Sequence, residues 1–319
     1  MIEVKHNTKI YIVTASSHFT GGPLLLHQLG GLLKQKGFDV FMHYIPYNLN
    51  PVHPEFSNYN IPYVDTIEDS EKHILIIPEV NFLEFRNTKN IRKVLWWLSV
   101  DNYFKTFKNA SKKRQLYNWI LGYHRIYRKA HLHLAQSQYA LDFLKTKGIS
   151  GIYLSDYLND IFLVENVSQQ NQLRRDQILY NPKKGFSITK QLMDTAPELN
   201  WIALTKMSPQ EMRKAMLMSK VYIDFGDHPG KDRIPREATI CGCCLVVGRK
   251  GSAANESDIP ISKEFKFDES NPQQIIDKIK YILAKYDNIT LLFDDYRTKI
   301  RNEKIEFEKQ IDQIFIKHQ

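Results

Sequence analysis

The chain has 319 residues, 43% of them hydrophobic, and carries a formal net charge of +9. That length can furnish cores for two ordinary domains, and no apolar run approaches the roughly 20 residues needed to cross a bilayer as a helix. No signal-like apolar stretch follows Met1-Ile2-Glu3-Val4-Lys5, so the expected location is the cytoplasm.

In the first half, short β-branched or aromatic runs predict strands at Lys9–Thr14, Phe38–Tyr44, His73–Pro78, Val94–Ser99, His131–Gln136 and Gly151–Leu154. After the first of them, His18, Gly21 and Gly22 lead into an amphipathic helix beginning near Leu24. Paired glycines let backbone approach a ligand, and a helix start presents N–H groups to an anion or a hydroxyl. Asp101 follows the fourth strand, where a carboxylate serves either as a base or as the cap of the next helix. Basic residues then gather at Lys105–Arg114 and Arg125–Lys129 among Phe107, Tyr117, Trp119, Tyr123 and Tyr127. Three readings fit this cluster: a solvated helix face, a membrane-surface contact, and nucleic-acid binding. The last is the weakest, because no recognised motif accompanies the charge.

The polar stretch Val164–Asp176 reads as a linker, dividing the chain into residues 1–168 and 169–319. Strands are expected again at Gln177–Tyr180, Trp201–Leu204, Val221–Phe225, Cys243–Val247 and Phe265–Phe267, with helical periodicity between them. This alternation is the signature of an α/β protein with parallel sheets. Two helical patterns fill the tail from Asn271 to His318. In them Ile275, Ile276, Ile279, Ile282 and Leu283 follow i, i+3, i+4, i+7 spacing, and the tail is also a candidate second crossing between the domains. Cys241, Cys243 and Cys244 are too crowded for a disulfide framework or a usual zinc spacing, and read as small buried residues.

Three loops of the second half carry chemistry. Lys183 and Lys184, with Gly185, follow the first strand, at the edge where α/β sheets bind ligands. Between two apolar strands, Phe225–Ala238 packs Asp227, His228, Lys231, Arg233, Arg236 and Glu237 into one segment. The cations suit a diphosphate, and Glu237, near a helix start marked by Pro235, suits a ribose diol. Gly251 and Ser252 then form a small-residue loop fit for close backbone approach. The sequence contains no Asp-x-Asp pair with which to hold a metal against a diphosphate. No metal is therefore expected; Lys184, Lys231 and Arg233, helped by Lys183 and Arg236, take over that neutralisation.

These residues resemble those of GT-B fold glycosyltransferases, above all the retaining group that contains sucrose and trehalose-phosphate synthases and many bacterial polysaccharide enzymes. Gly21-Gly22 resembles that family's first turn, Lys184-Gly185 its diphosphate-binding pair, and Glu237-Ala238 with Gly242 its ribose-binding segment. The resemblance implies two Rossmann-like domains facing a cleft, a nucleotide-diphosphate sugar as donor substrate, no other cofactor, and a glycan or lipid-linked acceptor. The membrane contact would then be peripheral, and no nucleic acid is expected. The family usually has a second glutamate eight positions before the first; here Pro229 stands there, with Asp227 and His228 as neighbouring replacements. Asp101 and His18 are the candidate catalytic bases, although in a retaining reaction the leaving phosphate can take the proton. Two alternatives stay open: a nucleotide-sugar epimerase or hydrolase of the same fold, and a basic nucleic-acid-binding protein without enzymatic activity.

Overall fold

The structure is a computed structural model describing residues 1–81, 84–108, 111–120, 123–163 and 174–317. In chain order its strands are β1 (Ile2–Val4), β2 (Lys9–Ala15), β3 (Asp39–Ile45), β4 (Ile74–Pro78), β5 (Arg92–Trp97), β6 (Leu132–Ala135) and β7 (Ile152–Tyr153). There follow β8 (Arg175–Tyr180), β9 (Asn200–Ala203), β10 (Ser219–Asp224), β11 (Cys244–Gly248), β12 (Lys266–Phe267) and β13 (Phe315–Lys317).

Two compact units emerge, Met1–Asp156 with Ile305–Gln319, and Tyr157–Lys304. The first is built on a parallel sheet in the order β3-β2-β4-β5-β6-β7, the second on a parallel sheet in the order β12-β11-β10-β8-β9. Both are open, doubly wound α/β layers, as the alternation of strand and helix requires. Burial follows position. Central β4 (ILIIP) and β11 (CLVVG) are buried along their whole length, whereas edge strand β3 alternates between buried and accessible residues, the difference expected between strands covered on both faces and strands at a rim. In each sheet the chain reverses direction of growth once, between β2 and β4 in the first unit and between β8 and β10 in the second. Such switch points open a crevice at the carboxyl ends of the strands.

The expected division at 168/169 differs from these units at both ends. Leu158 and Phe162 already belong to the second core, and residues 164–173 of the expected linker lie outside the described residues. The tail is not confined to the second unit. β13 pairs in parallel with β1, Phe307, Ile311, Ile314 and Phe315 are buried, and Phe307 stacks on Trp96 at 6.3 Å between ring centroids. Gln310 Oε1 accepts a hydrogen bond from Ser155 N at 2.9 Å. Burying these apolar positions outweighs sequence proximity, and the last residues complete the first unit. The helix Pro272–Ala284 buries the five positions its periodicity singles out.

The three cysteines are reduced and buried. Burial pushes the Cys243 thiol up to about 11 and the Cys244 thiol up to about 12, so they are inert packing groups. No helix among the described residues is long and apolar enough to cross a membrane.

Candidate functional site

Three loops of the second unit meet at the carboxyl ends of β8, β10 and β11. After β8, Gly185 caps the helix Phe186–Thr195 with φ +58°, and a Cβ there would lie 2.3 Å from the carbonyl of Phe225 at the end of β10. Only glycine permits that approach, which brings Lys184 over the β10 loop. Lys184 Nζ contacts Asp232 Oδ1 at 2.6 Å, while Lys183 is exposed beside it. The helices Phe186–Thr195 and Arg233–Ile240 both start here, and neither start has a side-chain cap. Two positive helix ends therefore lie beside Lys184.

The β10 loop is organised around His228, which is fully buried at φ +46°. Its Nδ1 lies 3.0 Å from Asp232 Oδ2 and its Nε2 lies 3.5 Å from Asp224 Oδ1. Asp224 also accepts from Tyr222 Oη and from Gly226 N, both at 2.9 Å. Burial works against a His228 cation, but the hydrogen bond to Asp232 and the charges of Asp224 and Asp232 outweigh it, and its pKa is raised. For Asp232, burial is likewise outweighed by His228 and Lys184, and its pKa is lowered. The result is a closed chain of alternating charge, Asp224–His228–Asp232–Lys184. Both ring nitrogens of His228 are turned inward to Asp224 and Asp232, and of the two neighbours expected near the position of Pro229, Asp227 is the exposed one. Asp224, His228 and Asp232 form the group among the described residues that could hold a metal ion, although Lys184 and the histidine already occupy the carboxylates.

The remaining cations divide into two sets. Lys231 Nζ and Arg236 Nη1 each reach Glu303, at 2.8 Å from Oε1 and Oε2 respectively, with all three side chains buried. Expected beside a diphosphate, Lys231 and Arg236 here fasten the helix Arg233–Ile240 to the start of the helix Glu303–Ile314. Arg233 instead stays partly open and pairs with Glu237 Oε1 at 2.8 Å. Glu237 sits one turn into its helix and is 1% exposed.

Gly251 and Ser252 pack against the backbone of the β10 loop. A Cβ on Gly251 would lie 2.1 Å from the His228 carbonyl. Ser252 N donates to His228 O at 2.9 Å, and its buried Oγ donates to Gly230 O at 2.6 Å.

In the first unit, the helix Gly21–Gln35 starts at the Gly-Gly turn itself, three residues earlier than expected, and Thr20 supplies no side-chain cap. His18 is exposed, its Nδ1 bonded to Ser16 O at 2.6 Å. Asp101 is half-buried and accepts from Tyr139 Oη at 3.1 Å. It is not the cap of the helix Val100–Lys108: Ser99 Oγ takes that place, accepting from Asn102 N at 3.3 Å.

Sequence reasoning missed Asp224, Asp232, Glu303 and Glu79. The spacing Asp224, His228, Asp232 is visible in the sequence, but in a loop such a spacing does not imply contact. Glu79 follows β4 at the switch point, is buried, and accepts from Leu98 N at 2.9 Å. Burial pushes its carboxyl up to about 7.

No protein-family model matches the sequence, and no curated protein matches it. Solved structures do. HepE of Anabaena, in complex with UDP and glucose, is 12% identical with a TM-score of 0.67, over 96% of this chain and 99% of that one. Sucrose-phosphate synthase from Thermosynechococcus elongatus is 12% identical with a TM-score of 0.67, over 97% and 98%. BGT of phage T4, in complex with UDP and Mn2+, is 13% identical with a TM-score of 0.54, over 96% and 100%. The chain thus has the fold of GT-B glycosyltransferases along nearly its whole length.

Proposed function

We propose that the chain is a glycosyltransferase that binds a nucleotide-diphosphate sugar on its second unit and passes the sugar to a hydroxyl of a growing bacterial surface glycan, free or lipid-linked. The observation that carries this reading is the meeting of Lys184, the Arg233–Glu237 pair and two uncapped helix starts at the switch point of β8 and β10. A diphosphate needs positive charge that is already in place as its bond to the sugar breaks; Lys184, Arg233 and the helix ends supply it, with exposed Lys183 adding to the field. Glu237 accepts from the two ribose hydroxyls once Arg233 turns to the phosphates. In transfer with retention, the acceptor oxygen bonds to the anomeric carbon as the carbon–phosphate oxygen bond breaks, and the acceptor proton passes to the departing diphosphate. Asp101 and His18 are the groups of the first unit available as a base if configuration inverts.

No metal enters this account, because Lys184 and His228 neutralise the carboxylates that would otherwise hold one. The reading rests on donor binding, which is testable without an acceptor. UDP and other nucleoside diphosphates should raise the melting temperature, and Glu237→Ala and Lys184→Met should each weaken UDP binding by about 1.5–3 kcal/mol in calorimetry. Turnover of a matched donor should persist in EDTA. No nucleotide binding in the folded parent overturns the donor site, and activity lost to EDTA and restored by Mn2+ overturns the metal-free chemistry.

A further inference from the structure

The helix Lys112–Ile120 leaves its apolar side chains in solvent. Leu116, Tyr117, Trp119 and Ile120 are 59, 55, 66 and 67% exposed, and Lys112, Lys113 and Gln115 are exposed with them. A helix of 9 residues is too short to persist in water on propensity alone, so an apolar face of this kind implies something that covers it. Leu116, Trp119 and Ile120 stand at i, i+3 and i+4 and share one face, with Lys112 and Lys113 one turn before it.

The surroundings are cationic. Between Asp101 and Asp142 the chain contains no aspartate or glutamate, whereas eight lysines and arginines fall there. Of these, Lys105 and Lys108 before the helix and Arg125, Arg128 and Lys129 after it are exposed, and Phe104 is 37% exposed.

We propose that this helix docks the chain on an anionic lipid surface, with Leu116, Trp119 and Ile120 entering the acyl boundary and the flanking cations lying over the headgroups. Bulky apolar residues on one stripe and lysines or arginines around it are what an interfacial helix requires. The charge selects this occupant. A second copy would bring the same cations against one another, and a nucleic acid would answer the cations but leave the apolar trio unburied. The inference goes beyond the proposed transfer reaction and stands on this surface alone.

The test is flotation with vesicles of equimolar phosphatidylglycerol and phosphatidylcholine, against phosphatidylcholine alone. The chain should float with the anionic vesicles only, and high salt should weaken this binding. Trp96 and Trp97 are fully buried and Trp201 is half-buried, so Trp119 is the most exposed indole; its emission should shift to the blue on binding, and Trp119→Phe should remove the shift. The triple change Leu116→Ser, Trp119→Ser, Ile120→Ser should lower partitioning roughly tenfold or more. Changing Lys112, Lys113, Arg125 and Arg128 to Gln should lower it roughly fivefold per charge. All of these side chains are exposed, so the variants should melt as the parent does. The proposal is overturned by equal binding to neutral vesicles, by undiminished binding of the triple variant, or by a parent dimer in gel filtration that the triple variant dissolves. Melting shifts with UDP, measured alongside, would fail independently and would count against the donor site only.

Discussion

Past the ends of β2, β5, β6 and β7 the first polar residues are Ser16, Ser99, Gln136 with Ser137, and Ser155. Past β8, β10 and β11 come Lys183 with Lys184, Asp227 through Arg233, and Arg249 with Lys250. Two sheets of like architecture thus end in different side-chain chemistries. Under the proposed transfer reaction, neutral hydroxyls and amides would meet a polyhydroxylated acceptor, which they can match bond for bond without desolvating charge. Fixed cations and helix ends suit a phosphate. The charged edge is itself divided: Lys231, Arg236 and Glu303 are locked in the protein, while Lys183, Lys184 and Arg233 remain at the surface or partly so. Charge in a loop is therefore no guide to ligand contact until its partners are known.

The sharpest way to break this division is to remove a locked charge. Arg236→Ala leaves Glu303 buried with Lys231 alone and should cost about 3–5 kcal/mol in urea unfolding, whereas the joint change Lys231→Met, Arg236→Met, Glu303→Leu should recover most of that loss. Equal tolerance of Arg236→Ala and Lys183→Ala would erase the distinction between locked and open cations.

The edge of the first sheet also carries acids, Glu79, Asp101 and Asp156, and the effect of Glu79 depends on pH. Its pKa of about 7 stands above the ordinary 4.5 because of burial. Its favourable contribution is thus complete below about pH 4.5 and is lost as pH rises through 7. Glu79→Gln keeps an acceptor for Leu98 N and carries no charge, so its stability relative to the parent should climb between pH 5 and 8, by about 3 kcal/mol at most. His27 and His133, lowered to about 4 by burial, act in the opposite sense as pH falls from 6.5. They are common to both proteins and cancel in the difference. A flat difference across this range would mean that Glu79 does not titrate there.

The smallest effect is expected at Ser252. Ser252→Ala removes the bond to Gly230 O and should cost about 1 kcal/mol, with weaker UDP binding following only through a loosened β10 loop. A loss of UDP affinity larger than the loss of stability would restore Ser252 to direct contact with the donor.

Much of this architecture is legible in the sequence. Each expected strand has its counterpart, from Lys9–Thr14 in β2 to Phe265–Phe267 in β12, because buried parallel strands write themselves as continuous apolar runs. β1 and β13 escaped: each is three residues long and exists through pairing with the other, from opposite ends of the chain. The three loops were legible as polar segments at strand ends, and the partners of their side chains were not. Lys184, Arg233 and Glu237 meet where the motifs place them. Lys231 and Arg236 could not be told from them, since their partner Glu303 is remote in sequence and its position is set by packing alone. His228 was readable as a polar loop residue, but not as the buried centre of that loop.

The pairing of β1 with β13 also sets an order of events during synthesis. Residues 157–304 leave the ribosome able to close on their own core, while the first unit, begun earlier, waits for Phe307, Ile311, Ile314 and Phe315 to cover Trp96 and pair with Ile2–Val4. Contacts so distant along the chain are slow to form, and until they do the earlier unit keeps an open flank. The half of the molecule that starts first is thus the half that finishes last, and nascent chains stalled before residue 305 should bind chaperones through the first unit.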